Sequence, residues 1–370
     1  MTDELSLADD LGPARIIQVF EPKLGLRGVL VVDNVARGPA IGGLRMAPDV
    51  SVGECARLAR AMSLKNAAAG LAHGGGKSVV WGDPRMPTEK KEQLLRAFAH
   101  ALRNETDYIF GPDMGTDETC MGWINDEIGR SVGLPSALGG IPLDEIGATG
   151  WGLASAAEVA CSYAGVSLKG ARVAIQGFGA VGKHTARFLS DRGAVLVAAS
   201  DSRGTIVDES GIDVDALIAH KGGGAAVTEY PRGRRLDRDA IIEVPCDIWV
   251  PAARPDVIRE DNVARLNARL VLQGANIPAT AGAELELHRR GVICVPDFIA
   301  NAGGVICAAM EYDNATQPAV FAAIDATIRA NTRAVLDAAA SEGVTPRQAA
   351  FELATAGIQQ AMRTRRFNIM

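Results

Sequence analysis

Apolar residues along the chain follow two different rhythms. The first third carries short strand-type runs, Arg15-Ile16-Ile17-Gln18-Val19-Phe20 and Gly28-Val29-Leu30-Val31-Val32, then a helix-period stretch from about Ser51 to Asn66. In that stretch Cys55, Leu58 and Met62 recur at i, i+3 and i+7, which predicts a helix that buries those three. Lys65 continues the row. It either points inward for a purpose or snorkels near the helix C-terminus, where the dipole favours a cation. Glycine and proline concentrate from Leu134 to Gly147, and beyond that boundary the rhythm changes. Strands are predicted at 172–176, 194–199, 246–250, 270–273 and 292–295, separated by helical segments such as 180–191. Near-continuous apolar runs of this kind fit a parallel sheet covered on both faces. From Ala319 the chain is alanine-rich and helical, and Thr345-Pro346-Arg347-Gln348 reads as a capping box with proline at N1.

The expected fold class is therefore α/β with two domains. Residues 1–135 would form a first α/β domain, and 145–315 a Rossmann-type, doubly wound dinucleotide-binding domain. A length of 370 residues suits two cores. The net charge of -6 gives no basic footprint for nucleic acid. No apolar run approaches a membrane span, and the acidic start MTDELSLADDLGPARI lacks a signal-peptide layout. Six cysteines stand far apart without a C-x-x-C pair, and five histidines form no ligand cluster. A reduced cytoplasmic protein without a metal site is the expectation.

Gly177-Phe178-Gly179-Ala180-Val181-Gly182 fits the G-x-G-x-x-G pattern. With 41 glycines, a random shuffle yields roughly half an occurrence, so context decides. A predicted strand precedes it, a helix follows at once, and Asp201 ends the next strand. Gly177 would permit the tight turn, Gly179 the approach of a pyrophosphate, and Gly182 close packing of helix on strand. The N–H groups at the helix start, at Ala180 and Val181, would face the phosphates. Asp201 could accept from a ribose 2′-hydroxyl, which favours NAD; Arg203 could pair with a 2′-phosphate, so NADP stays open.

Leu71-Ala72-His73-Gly74-Gly75-Gly76-Lys77 places a lysine directly before the apolar run Ser78-Val79-Val80-Trp81, and Phe110-Gly111-Pro112-Asp113 sets a carboxylate in a turn. Together with Gly38-Pro39-Ala40-Ile41-Gly42-Gly43-Leu44-Arg45, Met62-Ser63-Leu64-Lys65-Asn66, Ala148-Thr149-Gly150, Gly274-Ala275-Asn276 and Asn301-Ala302-Gly303-Gly304, these stretches are colinear with a known pattern. The chain resembles the superfamily of glutamate, leucine, phenylalanine and valine dehydrogenases. The resemblance implies that Lys65 binds the substrate α-carboxylate, Lys77 is the catalytic lysine and Asp113 its partner in proton transfer. Gly43 would also touch substrate. Thr149 and Asn276 would hold the nicotinamide end of the coenzyme, and Asn301 would orient the α-carboxylate or amino group. The resemblance also implies that residues 1–135 are the substrate-binding and oligomerisation domain, with C-terminal helices, 316–370, returning to it, an active site in a cleft that closes, and a homo-oligomer.

The implied chemistry is oxidative deamination of an L-amino acid to its 2-oxo acid and ammonia, and the reverse. Hydride leaves the α-carbon, water attacks the resulting iminium, and a base must take the water's proton. An ordinary lysine is protonated at neutral pH. Desolvation and the neighbouring Lys65 would favour a neutral amine at Lys77, and Asp113 would shuttle a proton to or from nitrogen. Glutamate-using members typically carry lysine where this chain has Ile41, and serine where it has Ala308. An uncompensated buried carboxylate is costly. The expectation is therefore an apolar substrate, leucine or valine before phenylalanine. The alternatives are a glutamate dehydrogenase with altered side-chain contacts, and a non-catalytic, dinucleotide-dependent sensor.

Overall fold

The structure, a computed structural model, describes residues 4–365. It divides into two compact units. The first gathers the chain up to Leu143, Val305–Val320 and the chain from Glu352 onward; the second gathers Asp144–Gly304 and Phe321–Phe351. The C-terminal segment thus splits its packing between the units rather than joining the first as one block from 316.

In the first unit, five strands form a mixed sheet: β1 (Arg15–Glu21), β2 (Leu26–Asn34), β3 (Ala40–Ala47), β4 (Gly74–Trp81) and β5 (Tyr108–Pro112). Their order is β1-β2-β4-β3-β5. The β1–β2 and β2–β4 pairs are antiparallel, while β3 runs parallel to both β4 and β5. Helix α1 (Val52–Ala68) covers one face, where Cys55, Ala56 and Ala59 pack on Val29, Val31 and Val79. On the opposite face α2 (Thr88–Ala101) and α3 (Glu118–Ile128) bury Phe98 and Met121 against Leu30, Leu44 and Phe110. Cover on both sides explains why β2 and β4 are buried almost end to end.

Helix α1 departs from the expected phase. Ser51 caps it by accepting from Glu54 N at 3.1 Å, but the buried row is Cys55, Ala59 and Ser63, while Leu58 and Met62 stay only partly buried. The cause lies across the interface. A Cβ on Gly75 would sit 2.0 Å from Ser63 N, so helix and strand meet at backbone distance. Small residues on α1 and glycine on β4 permit that approach; leucine and methionine at the contact would forbid it. The glycines before Lys77 are therefore part of β4 itself, and two of them, Gly74 and Gly75, make room for the protein's own backbone.

A single helical turn, α4 (Leu143–Ile146), crosses the division and α5 (Ala148–Tyr163) follows. The second unit's sheet contains β6 (Arg172–Gln176), β7 (Val195–Asp201), β8 (Gly204–Val207), β9 (Arg234–Leu236), β10 (Ile248–Pro251), β11 (Leu270–Leu272) and β12 (Ile293–Val295). Their order is β12-β11-β10-β6-β7-β8-β9. The first five in that order are parallel neighbours, and β8 and β9 add an antiparallel edge that the sequence pattern did not predict. The chain winds one way from β6 to β7 and then returns to the other side of β6 with β10. That reversal opens a crevice at the carboxyl ends of β6 and β10.

The remaining helices are α6 (Ala180–Asp191), α7 (Val214–Gly222), α8 (Ala281–Arg289), α9 (Asp297–Ala300), α10 (Gly303–Tyr312), α11 (Gln317–Glu342) and α12 (Pro346–Thr364). Gln348 N donates to Thr345 Oγ1 at 3.2 Å, the N-cap half of the expected box. Trp151 of α5 packs edge-on to Phe188 and Phe321 and donates to Phe321 O, inside the second unit. Among the described residues no helix is long and apolar enough to cross a membrane.

Candidate active site

Strand register assembles the chemistry of the first unit. Leu44 pairs with Ser78 on β4 and with Pro112 on β5. One residue before Ser78 stands Lys77, one after Pro112 stands Asp113, and Gly43 and Arg45 flank Leu44. Lys77 Nζ lies 2.7 Å from Asp113 Oδ2, and the two side chains are only 5% and 16% exposed. Arg45 Nε donates to the same oxygen at 3.1 Å, and Arg45 NH1 lies 2.6 Å from Glu54 Oε1 on α1. Two cations and two carboxylates thus form one chain, Lys77–Asp113–Arg45–Glu54. Burial pushes the Asp113 carboxyl up, but Lys77 and then Arg45 outweigh it and hold the group far below the usual carboxylate range.

Gly43 is the floor of this cluster. A Cβ there would meet Asp113 Cβ at 2.7 Å and Lys77 Nζ at 3.0 Å, so any side chain would displace the pair. The turn carrying Asp113 is fixed locally: Asp113 N donates to Thr116 Oγ1, which donates onward to Leu44 O at 2.7 Å. Lys77 is buried as expected, yet a carboxylate sits beside it as a counter-ion. Lys65 is buried on the last turn of α1, inward rather than snorkelling. Its neighbour Asn66 ties α1 to β3 and β4 through Ile41 O and Gly74 O. Ile41 and Ala308 come together in one apolar cluster with Ile109, Val132 and Ala309.

The second unit holds a glycine turn of the kind that suits a dinucleotide. Gly177 follows β6 with φ +95°, and Gly182 touches it so closely that a Cβ on Gly182 would lie 1.9 Å from Gly177 O. Gly179 is the N-cap of α6, has no side-chain cap, and faces open space. The helix start at Ala180 and Val181 therefore presents backbone donors with room for a phosphate. Gly177, Phe178 and Gly179 line a cleft of about 620 Å³ together with Asp201, Ala252 and Ala253. It sits at the crevice where the winding reverses. These residues fit a dinucleotide.

Asp201 is more occupied than the sequence implied. Its Oδ2 accepts from Lys221 Nζ at 2.7 Å and Val227 N at 2.9 Å, and its Oδ1 accepts from Arg203 N. Burial raises the carboxyl, but the Lys221 hydrogen bond and the backbone donors leave it below its ordinary value. Arg203 turns away to Gly224 O. Past β11, Asn301 Nδ2 donates to Gly274 O at 3.2 Å and contacts Asn276 Oδ1 at 3.4 Å, while Asn301 Oδ1 is buried without a partner. Thr149 is half-buried on the first turn of α5.

Arg45, Glu54 and Lys221 were assigned no role from sequence. Arg45 alternates with Gly43 on β3, so strand period alone puts both on one face. Nothing local signals that Glu54, nine residues on, reaches back to it.

A doubly wound unit whose glycine turn fits a dinucleotide, and a second unit with a buried lysine–aspartate pair, are the parts that a dinucleotide-dependent oxidoreductase needs. Residues 139–366 match the Glutamate/Leucine/Phenylalanine/Valine dehydrogenase family, and 13–130 match the Glu/Leu/Phe/Val dehydrogenase dimerisation domain. Glutamate dehydrogenase of Thermotoga maritima is 40% identical over 77% of this chain and 72% of its own length. The NADP(+)-dependent glutamate dehydrogenase of Pyrobaculum calidifontis is 39% identical over 81% and 77%. A crystal structure of hetero-hexameric glutamate dehydrogenase from Thermus thermophilus, in its Leu-bound form, superposes with a TM-score of 0.86 at 29% identity, covering 95% of this chain and 90% of that one. The chain belongs to the Glu/Leu/Phe/Val dehydrogenase family and is an NAD(P)-dependent amino-acid dehydrogenase.

Proposed function

We propose that the chain catalyses the reversible oxidative deamination of L-glutamate to its 2-oxo acid and ammonia. The observation that carries the chemistry is the buried Lys77–Asp113 pair, 2.7 Å apart, in a chain about 40% identical to an enzyme named glutamate dehydrogenase. When bound, the dinucleotide supplies the hydride acceptor. Lys65 pairs with the α-carboxylate, and Asn301 orients the same end of the substrate. Asp113 accepts a proton from the substrate ammonium, which frees the nitrogen lone pair to form the iminium as hydride leaves. Lys77, neutral after giving its proton to solvent, takes the proton of the attacking water; Asp113 returns its proton to nitrogen and then takes the carbinol hydroxyl proton as the C–N bond breaks and ammonia departs. One amino acid, one water and one oxidised coenzyme give one 2-oxo acid, one ammonium, one reduced coenzyme and one proton.

A second reading concerns the substrate alone. Ile41 and Ala308 pack in one apolar cluster with Ile109, Val132 and Ala309, an environment that favours leucine or valine. The match of 13–130 to a dimerisation domain supports a homo-oligomer. Initial rates of NADH and NADPH formation across a panel of L-amino acids test the whole proposal. Glutamate as best substrate supports the first reading, and leucine or valine the second. No turnover with any of them, despite tight dinucleotide binding, would make the chain a sensor.

A further inference from the structure

The quartet contains more charge than the proton transfers need. One lysine and one aspartate suffice to move a proton between water, nitrogen and carboxylate. Yet Asp113 Oδ2 is shared between Lys77 Nζ at 2.7 Å and Arg45 Nε at 3.1 Å. Arg45 is in turn held at its other edge by Glu54 Oε1 at 2.6 Å. Arg45 and Asp113 are 68 residues apart in sequence and meet only through the β3–β5 register. We propose that Arg45, itself balanced by Glu54, is a positioning residue that sets how tightly the Lys77–Asp113 pair holds its proton.

The physical argument is competition for one oxygen. A lone carboxylate beside Lys77 favours the ammonium and so opposes the neutral amine that water attack requires. A guanidinium on the same oxygen draws off part of that field and adds its own repulsion toward the ammonium. Glu54 acts in the opposite sense, because it neutralises Arg45 from behind. Arginine suits this post: it stays charged throughout, and its planar fork can bridge two carboxylates. The other titratable groups packed around the pair are few. Tyr108 on β5 donates to Gly42 O, and Cys55 on α1 contacts Lys77 O, its thiol pushed up to about 12 by burial. Asp33 on β2 is held by Arg60 and Ser63, and Lys65 adds a cation at the far end of α1.

The inference rests on the reading that Lys77 and Asp113 carry the proton transfers, but one of its readouts does not. The reactivity of the Lys77 amine is measured by competitive acetylation across pH, scored by mass spectrometry of its peptide. The native chain is compared with Arg45→Gln, Arg45→Lys and Glu54→Gln. The midpoint should rise by about one pH unit in Arg45→Gln, fall in Glu54→Gln, and stay near the native value in Arg45→Lys. The pH profile of kcat/KM for deamination should shift its rising limb in the same directions. Opposite shifts from the two neutral substitutions are not what loss of packing produces. Glu54 is the more exposed partner, so Glu54→Gln keeps the test alive if Arg45→Gln does not fold. Midpoints that move together, or not at all, overturn the inference. A native chain with no turnover on any amino acid would defeat the proposed function while leaving the labelling result to decide this one.

Discussion

On the proposed reading, the two units hold their ligands in opposite ways. The first builds its site from charge: four ionisable side chains on β3, β4, α1 and the turn after β5 compensate one another in a nearly closed cluster. The second builds its cradle from missing side chains, with backbone donors at the start of α6 and glycine where a Cβ would intrude. A charged cluster tunes proton affinity through every member, so removing one alters the whole. A glycine turn binds without tuning anything, and it fails only if something is added. Each site should therefore break under a different kind of substitution.

The largest effect is expected from subtraction in the first unit. Asp113→Asn removes the negative charge shared by Lys77 and Arg45 and leaves two cations facing each other. Deamination should fall about 10³-fold or more, as expected for loss of an acid–base group, while dinucleotide affinity stays within about twofold. Steady-state rates paired with fluorescence titration of the reduced coenzyme check both halves. A parallel loss of coenzyme binding would mean that the two sites are not separable in this way.

Addition in the second unit comes next, and two neighbouring glycines should respond differently. Gly182→Ala forces a methyl to within 1.9 Å of Gly177 O and should cost about 2–3 kcal/mol of stability. Gly179→Ala meets nothing within 4 Å in the protein, so its melting temperature should be unchanged. Its dinucleotide affinity should still drop about tenfold, because the added carbon occupies the phosphate approach. Thermal melts with and without coenzyme separate the two cases.

The smallest effect concerns a buried group outside both sites. His184 in the second unit has both ring nitrogens without partners and stacks on Phe188. Burial, reinforced by Arg187 and Lys183, lowers its pKa from 6.5 to about 4. The unfolded chain takes up this proton near 6.5 and the folded chain only near 4. The group therefore costs nothing above pH 6.5, and stability is lost as pH falls through that window, by roughly 2 kcal/mol. His184→Phe should flatten the acid side of the melting-temperature profile. An unchanged slope between pH 6.5 and pH 4 would remove His184 as its source.

What the sequence disclosed follows the same division. The glycine cradle is local: strand, turn and helix are contiguous from Arg172 to Asp191, and its geometry can be written down from six residues. The parallel strands of the second unit, buried on both faces, announced themselves as apolar runs. The quartet is not local. Lys77 and Asp113 became visible through resemblance, whereas the use of Arg45 and Glu54 depends on a register that no single segment contains. Helix α1 shows a second limit. Periodicity chose the large residues Leu58 and Met62 for its buried row, but contact with a glycine-bearing strand selects small ones, Ala59 and Ser63. Asp201 shows a third: spacing found the carboxylate, but not the Lys221 ammonium that holds it.

The central claim is that the amine at position 77 moves the proton in this reaction. Reductive amination of a 2-oxo acid by ammonia and reduced coenzyme, compared between the native chain and Lys77→Ala at saturating coenzyme, tests it most directly. The account predicts a fall in kcat of about 10³-fold or more with coenzyme still bound. A Lys77→Ala enzyme that keeps the native kcat across the pH range would contradict it.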